Sequence, residues 1–130
     1  MRIITFGTFD LFHIGHLNIL ERAKSFGDQL IVGISSDKLN FEKKQFLPLF
    51  SFEERKRIIS SLRCVDEVFE EESLEKKREY ITKYNADILI MGDDWDGKFD
   101  FLNDICEVHY LKRTKDISTT DLKKRINYSV

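Results

Sequence analysis

The sequence predicts a single α/β domain, expected over residues 1–130, with a parallel central sheet and helices on both faces. Three observations carry that reading. Short apolar, β-branched runs recur at residues 2–6, 29–35, 65–69, 86–91 and 106–111, with helical spacing between them. The run Gln29-Leu-Ile-Val-Gly-Ile-Ser35 is apolar at consecutive rather than alternate positions, as in a strand covered on both faces. The 130 residues suffice for one domain that buries roughly two-thirds of its unfolded surface.

Arg2-Ile-Ile-Thr-Phe6 reads as the first strand, and residues 17–26 as a helix with Leu17, Ile19, Leu20 and Ala23 toward the core. Between them, Gly7-Thr-Phe-Asp-Leu-Phe-His-Ile-Gly-His16 is a strand-to-helix turn, where a parallel sheet collects its ligands. His13 and His16 are three apart and point the same way on a starting helix. Gly15 has no side chain, which allows a phosphate close to the backbone. Free N–H groups and the helix dipole favour an anion there, so two imidazoles read as donors to a polyphosphate. A surface or capping role is the plain alternative. A metal is the other, since Asp10, His13 and His16 offer three ligands. The spacing is not H-E-x-x-H and no further ligand cluster accompanies it, so phosphate ranks first and no protein-held metal is expected.

The second strand ends in Ser35-Ser36-Asp37, again at the carboxyl edge of the sheet. Residues 40–50, with Lys43-Lys44 and Pro48, read as irregular: a solvated connection, or a basic segment that folds over phosphates. Ser51 and Glu54 form a capping box at the head of the next helix, on which Arg55 and Arg57, like Arg63 beyond it, read as surface charges. Residues 73–84 follow as a helix capped by Ser73, with Leu74, Tyr80, Ile81 and Tyr84 as its apolar stripe and a solvated, charged face without chemistry. The strand at 86–91 feeds the acidic loop Gly92-Asp-Asp-Trp-Asp-Gly-Lys98. An EF-hand register fails, because Asn103 falls where a glutamate is required. An aromatic beside carboxylates suits a nucleobase, which singles out Asp94 and Trp95. After the last strand, in which His109 is an ordinary residue, Arg113-Thr-Lys-Asp-Ile-Ser-Thr-Thr120 opens a helix over 121–126 with Ser118 or Thr119 as its cap. This is a capped helix, or a second anion site with hydroxyls and an arginine as donors.

Lys and Arg number 21 against 23 Asp and Glu, a net charge of -2, which argues against a nucleic-acid or membrane-surface binder. No signal peptide is expected, nor any run of the ~20 apolar residues that span a bilayer. Cys64 and Cys106 lie far apart without a C-x-x-C, so free thiols in the cytoplasm are expected.

With Gly7-Thr-Phe-Asp10 followed by His13-Ile-Gly-His16, the chain resembles the cytidylyltransferases of the nucleotidylyltransferase superfamily, whose signature is (H/T)-x-G-H. Ser51-Phe-Glu-Glu-Arg55, Arg63-Cys-Val-Asp66-Glu-Val and Arg113-Thr-x-x-Ile117-Ser-Thr-Thr120 are similar to that family's further motifs, in the same order. The resemblance covers nearly the whole chain. It implies a Rossmann-like fold and transfer of CMP from CTP to the phosphate of a small phosphoalcohol, with glycerol 3-phosphate as the expected acceptor and CDP-glycerol and pyrophosphate as products. It implies His13, His16, Lys43 and Arg113 as catalytic residues. Gly7, Thr8, Phe9, Asp10, Gly15, Asp94, Trp95, Thr114, Ile117, Ser118 and Thr119 would surround the nucleotide. Asp37, Lys44, Arg55, Arg63 and Asp66 would serve the acceptor or stand behind the site, with Asp66 holding the two arginines. Mg2+, a homodimer and a place in teichoic acid or capsule precursor synthesis are implied too. The alternatives are transfer to another polyol phosphate or phosphoalcohol, an adenylyltransferase of the same fold, a non-catalytic nucleotide sensor, and a response-regulator-like domain. The last would need an acidic cluster after the first strand and a phosphorylatable aspartate after the third.

Overall fold

The apolar runs assemble into one sheet. In the computed structural model, which describes residues 1–114 and 117–128, they are β1 (Arg2–Gly7), β2 (Gln29–Ser35), β3 (Glu67–Glu71), β4 (Ile88–Gly92) and β5 (Glu107–Leu111). All neighbours are parallel, in the order β3-β2-β1-β4-β5. Central β1 pairs along its whole length with β2, and Ile3, Ile4 and Thr5 face Ile88, Leu89 and Ile90 of β4. The chain steps outward from β1 to β3 and then returns to β4 on the other side. Strand order therefore reverses at β1, which puts a crevice at the carboxyl ends of β1 and β4.

Successive strand residues face opposite ways, so two cores form. Ile3, Leu30, Val32, Ile88 and Ile90 meet Leu20 and Ala23 of α1 (Ile14–Lys24) and Ile59 of α3 (Phe52–Ser60). Ile4, Phe6, Ile31, Leu89 and Met91 meet Ile81 of α4 (Lys77–Lys83) together with Phe99 and Leu102. Helices thus cover both faces. Among the described residues no helix is long and apolar enough to cross a membrane. Cys64 and Cys106 are free and half-buried.

Several expectations are corrected. The first helix begins at Ile14, three residues early, because His13 itself is its cap. Residues 40–44 are not irregular: they belong to α2 (Asp37–Lys44), capped by Ser36, whose hydroxyl accepts from the Leu39 N–H at 3.0 Å. Residues 73–84 divide into a 3-10 turn, Leu74–Lys76, and α4. The charged face there is not wholly solvated. Lys77 is buried, its ammonium 2.6 Å from the buried Glu71 carboxylate and 4.4 Å from the centroid of the Phe6 ring. Helix α5 (Thr119–Tyr128) starts before residue 121. Ser118 is its cap, accepting from the Asp121 N–H at 3.1 Å. Lys115 and Asp116, inside the motif ahead of α5, lie outside the described residues.

Candidate active site

The turn from β1 to α1 is strained and then tied down. Phe9 and Leu11 have φ of 54° and 47°, a left-handed conformation that costs an L-residue about 1–2 kcal/mol. Gly7 has no room for a side chain, since a Cβ there would stand 2.8 Å from the Phe9 ring. Arg55, fully buried on α3, holds the turn from behind. Its guanidinium donates to the carbonyls of Thr8 (2.9 Å), Ser35 (2.8 Å) and Phe50 (3.0 Å), and to Asp37 Oδ1 at 2.7 Å. Asp10, also buried, accepts from the N–H groups of Leu49 (2.8 Å) and Phe50 (2.9 Å), while its carbonyl accepts from the Thr119 hydroxyl at 2.8 Å. One turn is thereby joined to the segment before α3 and to the start of α5. Asn40 completes the support. It is buried on α2, donates to Ser35 and Ser36, and accepts from the Thr8 hydroxyl at 3.0 Å.

At the head of α1 the two histidines form a stacked pair, ring centroids 3.8 Å apart. His13 Nδ1 accepts from the Gly15 N–H at 3.0 Å, and His16 Nδ1 accepts from the His13 N–H at 3.3 Å. A nitrogen that accepts cannot carry the proton, so each neutral ring has its proton on Nε2. Both rings are held neutral. Burial lowers the pKa of His13, and burial together with the neighbouring His13 brings His16 to about 4, against an upward pull from Asp10. Phe9 and Phe12 supply much of that apolar surround, 5.4 and 5.6 Å from the His16 ring. His13 Nε2 is buried and has no hydrogen-bond partner among the described residues. Gly15 is required by this pair: a Cβ there would come within 2.8 Å of the His13 ring and 3.4 Å of Ile117.

These elements enclose a cleft of about 280 Å3, lined by Gly7, Thr8, Phe9, Asp10, His16, Asn40, Lys44, Phe46, Pro48, Gly92, Thr119 and Lys123 among others. The lysine at this cleft is Lys44. Lys43 lines a separate depression with Ser36, Asp37, Phe52 and Glu70. Its pKa is lowered by partial burial first and by repulsion from Lys44, Lys77 and Arg55, with Glu71 opposing. Asn40 and Lys123 were not singled out by sequence reasoning. Asn40 stands four residues after the Ser36 cap, and Lys123 four after Thr119, so helical spacing was the available signal.

The remaining candidates lie around the rim or away from it. Asp94 and Arg113 come together, at 3.4 Å, both well exposed. Trp95 packs on Phe99, ring centroids 5.5 Å apart. The Asn18 amide donates to the Thr114 hydroxyl at 3.0 Å, which ties the closing motif to α1. Asp66 does not hold the arginines. It accepts from the Lys24 ammonium (2.6 Å) and the Leu30 N–H (2.8 Å) just before β3, at the amino-terminal edge of the sheet. Arg63 is exposed at that same end. Among the described residues no group of three or more His, Cys, Asp or Glu is placed to hold a metal ion.

Known proteins are similar to this chain in sequence over nearly its whole length, and in fold. It is 52% identical over 125 residues to the glycerol-3-phosphate cytidylyltransferase of Bacillus subtilis, covering 96% of each chain. It is 46% identical over 125 residues to the protein of the same name in Staphylococcus aureus, covering 96% of this chain and 94% of that one. A lipopolysaccharide core biosynthesis protein from Thermoplasma volcanium superposes with a TM-score of 0.78 at 22% identity, over 88% of this chain and 98% of that one. The likeness to that protein is one of fold. The model of the family described as cytidylyltransferase-like matches residues 4–125, from β1 into α5. With the paired histidines, the closing motif and the reversed sheet all inside that span, the chain belongs to the cytidylyltransferase-like family.

Proposed function

We propose that this protein transfers CMP from CTP to the phosphate of glycerol 3-phosphate, forming CDP-glycerol and releasing pyrophosphate. One observation carries the reading: a buried His13 Nε2–H, without a partner among the described residues, beside a second imidazole whose tautomer is fixed the same way, at the head of a helix. An unpaired buried donor costs free energy, and a phosphate oxygen would satisfy it.

In the reaction an oxygen of the acceptor phosphate attacks the α-phosphorus, and the bond from that phosphorus to the bridging oxygen of the β-phosphate breaks. The attacking group is already an anion, so no strong base is needed. Catalysis reduces to positioning and to stabilising charge. His13 and His16 would donate from Nε2 to the α-phosphate. Neutral imidazoles donate without surrendering a proton, which suits rings held neutral by burial. Lys44 would oppose the charge of the phosphates, with Lys43 and Asp37 beside it in the adjoining depression. Asp94 would accept from the cytosine amino group, releasing Arg113 from its exposed pair to the phosphates. Mg2+ finds no protein cage among the described residues, and a hard cation of this kind is commonly held by substrate phosphates. It would enter with the triphosphate and offset part of its charge.

The acceptor follows from what surrounds the cleft. A cationic headgroup calls for an aromatic cage, but Trp95 is packed against Phe99. The phosphate ester of a small, uncharged polyol fits better, and two close relatives bear the name of that reaction. A homodimer in the cytoplasm completes the proposal, to be checked by sedimentation of the purified protein and by cell fractionation. The central experiment offers the enzyme each of the four nucleoside triphosphates with Mg2+ and glycerol 3-phosphate, then CTP with ribitol 5-phosphate, phosphocholine or phosphoethanolamine. CDP-glycerol should form fastest. A preference for another acceptor would remove glycerol 3-phosphate, and a preference for ATP would remove the cytidine assignment.

A further inference from the structure

Helix α5 carries a cation into the cleft that the chemistry above leaves unused. Thr119 and Lys123 are four residues apart, share one face of α5, and both line the cleft. The Thr119 hydroxyl is engaged by the Asp10 carbonyl at 2.8 Å. Lys123 is held far more loosely. Its ammonium stands 3.9 Å from Asp10 Oδ2, outside hydrogen-bonding distance, and that carboxylate already accepts from two backbone N–H groups. Its other neighbour is the Phe46 ring, 5.2 Å from the ring centroid. An ammonium has three N–H donors, and no acceptor among the described residues engages them.

We propose that Lys123 is a ligand of the β- and γ-phosphates of the bound nucleotide, and so lets the site distinguish a triphosphate from a monophosphate. The proposal rests on the CTP-dependent reading above. Of the residues lining the cleft, Lys44 and Lys123 are the cations and buried Asp10 the carboxylate. They stand on α2 and α5, while the histidines occupy the head of α1. An α-phosphate on the imidazoles therefore leaves the rest of the chain of phosphates to the two amines. Lys123 would exchange its distant contact with Asp10 for charge-assisted bonds, which are among the strong ones. As the bond to the α-phosphorus breaks, negative charge grows on the departing pyrophosphate, where an ammonium already in place stabilises it.

The test compares CTP with CMP, measuring binding of CTP by calorimetry and of CMP by ligand-observed NMR. In Lys123→Gln, CTP should bind about tenfold more weakly, the loss of one charge-assisted bond, while CMP binds as before. Lys123→Arg should recover most of the CTP affinity, and Lys124→Gln, an exposed neighbour, should change neither ligand. Unchanged CTP affinity in Lys123→Gln would overturn the proposal. So would an equal loss for CTP and CMP, which would mark Lys123 as a packing residue of α5. Failure of the unmodified protein to bind CTP would instead remove the reading on which the proposal rests.

Discussion

His13 does two separable things. Its Nδ1 caps α1 by accepting from Gly15, and its Nε2 is the free donor. Asn is a strong N-cap but has no donor where Nε2 stands. His13→Asn should therefore keep its urea midpoint close to that of the unmodified protein while turnover falls by ~10²-fold or more, the loss seen when one donor to a developing oxyanion is removed. His13→Ala should lose the turnover and about 1 kcal/mol of stability as well. Near-normal turnover in the asparagine variant would end the donor role. The sequence already marked both histidines, because spacing and position in a strand-to-helix turn are visible in a string of letters. It did not reveal the mutual capping, which depends on ring orientation, nor that Gly15 is small to make room for the His13 ring and Ile117.

Elements meet at Arg55. One guanidinium fastens the β1–α1 turn, the end of β2, the start of α2 and, through the Phe50 carbonyl, the segment leading into α3. Lysine keeps the charge but not the planar fork, so several of these acceptors would be left buried and unpaired. Arg55→Lys should cost about 3 kcal/mol or more, read from urea denaturation. Turnover should fall too, because the Thr8 carbonyl belongs to the turn beside the histidines. A variant with unchanged midpoint would show that water replaces the fork. Read from residue type alone, Arg55 looked like one of several surface arginines, and only the family resemblance put it behind the site. Charge type does not say which way a helix faces when its flanks are polar, and α2 was misread for the same reason. Leu39 is its one buried apolar residue, and the other inward position is Asn40, so an apolar stripe never forms. Helix α3 was legible because Ser51 and Glu54 state its start outright.

At the scale of the whole molecule, a neutral histidine pair makes folding depend on pH. His16 titrates near 4 when folded and near 6.5 when unfolded, so between those values the unfolded chain binds more protons. Stability therefore rises with pH in that window, is fully present above about 6.5, and declines as pH falls toward 4. His13, lowered in the same direction, adds to it. The free energy of unfolding should be smaller by about 1 kcal/mol at pH 5.5 than at pH 7.5, and the slope should flatten in His16→Asn. Equal slopes in the two proteins would assign the effect to other groups. The alternation of strands and helices, and hence the fold class, was open to sequence reasoning because most elements carry a local pattern of their own. The neighbours of each strand were not, since nothing local to residues 2–7 says that 88–90 will lie beside them. That late pairing has a consequence at the ribosome. The middle strand is the first one made, yet one of its edges stays unpaired until residues 88–90 emerge. Until then the nascent chain presents its central strand as an open template, and distant pairings of this kind form slowly. The chain is exposed to mispairing with its neighbours on a polysome until the fourth strand arrives to close that edge.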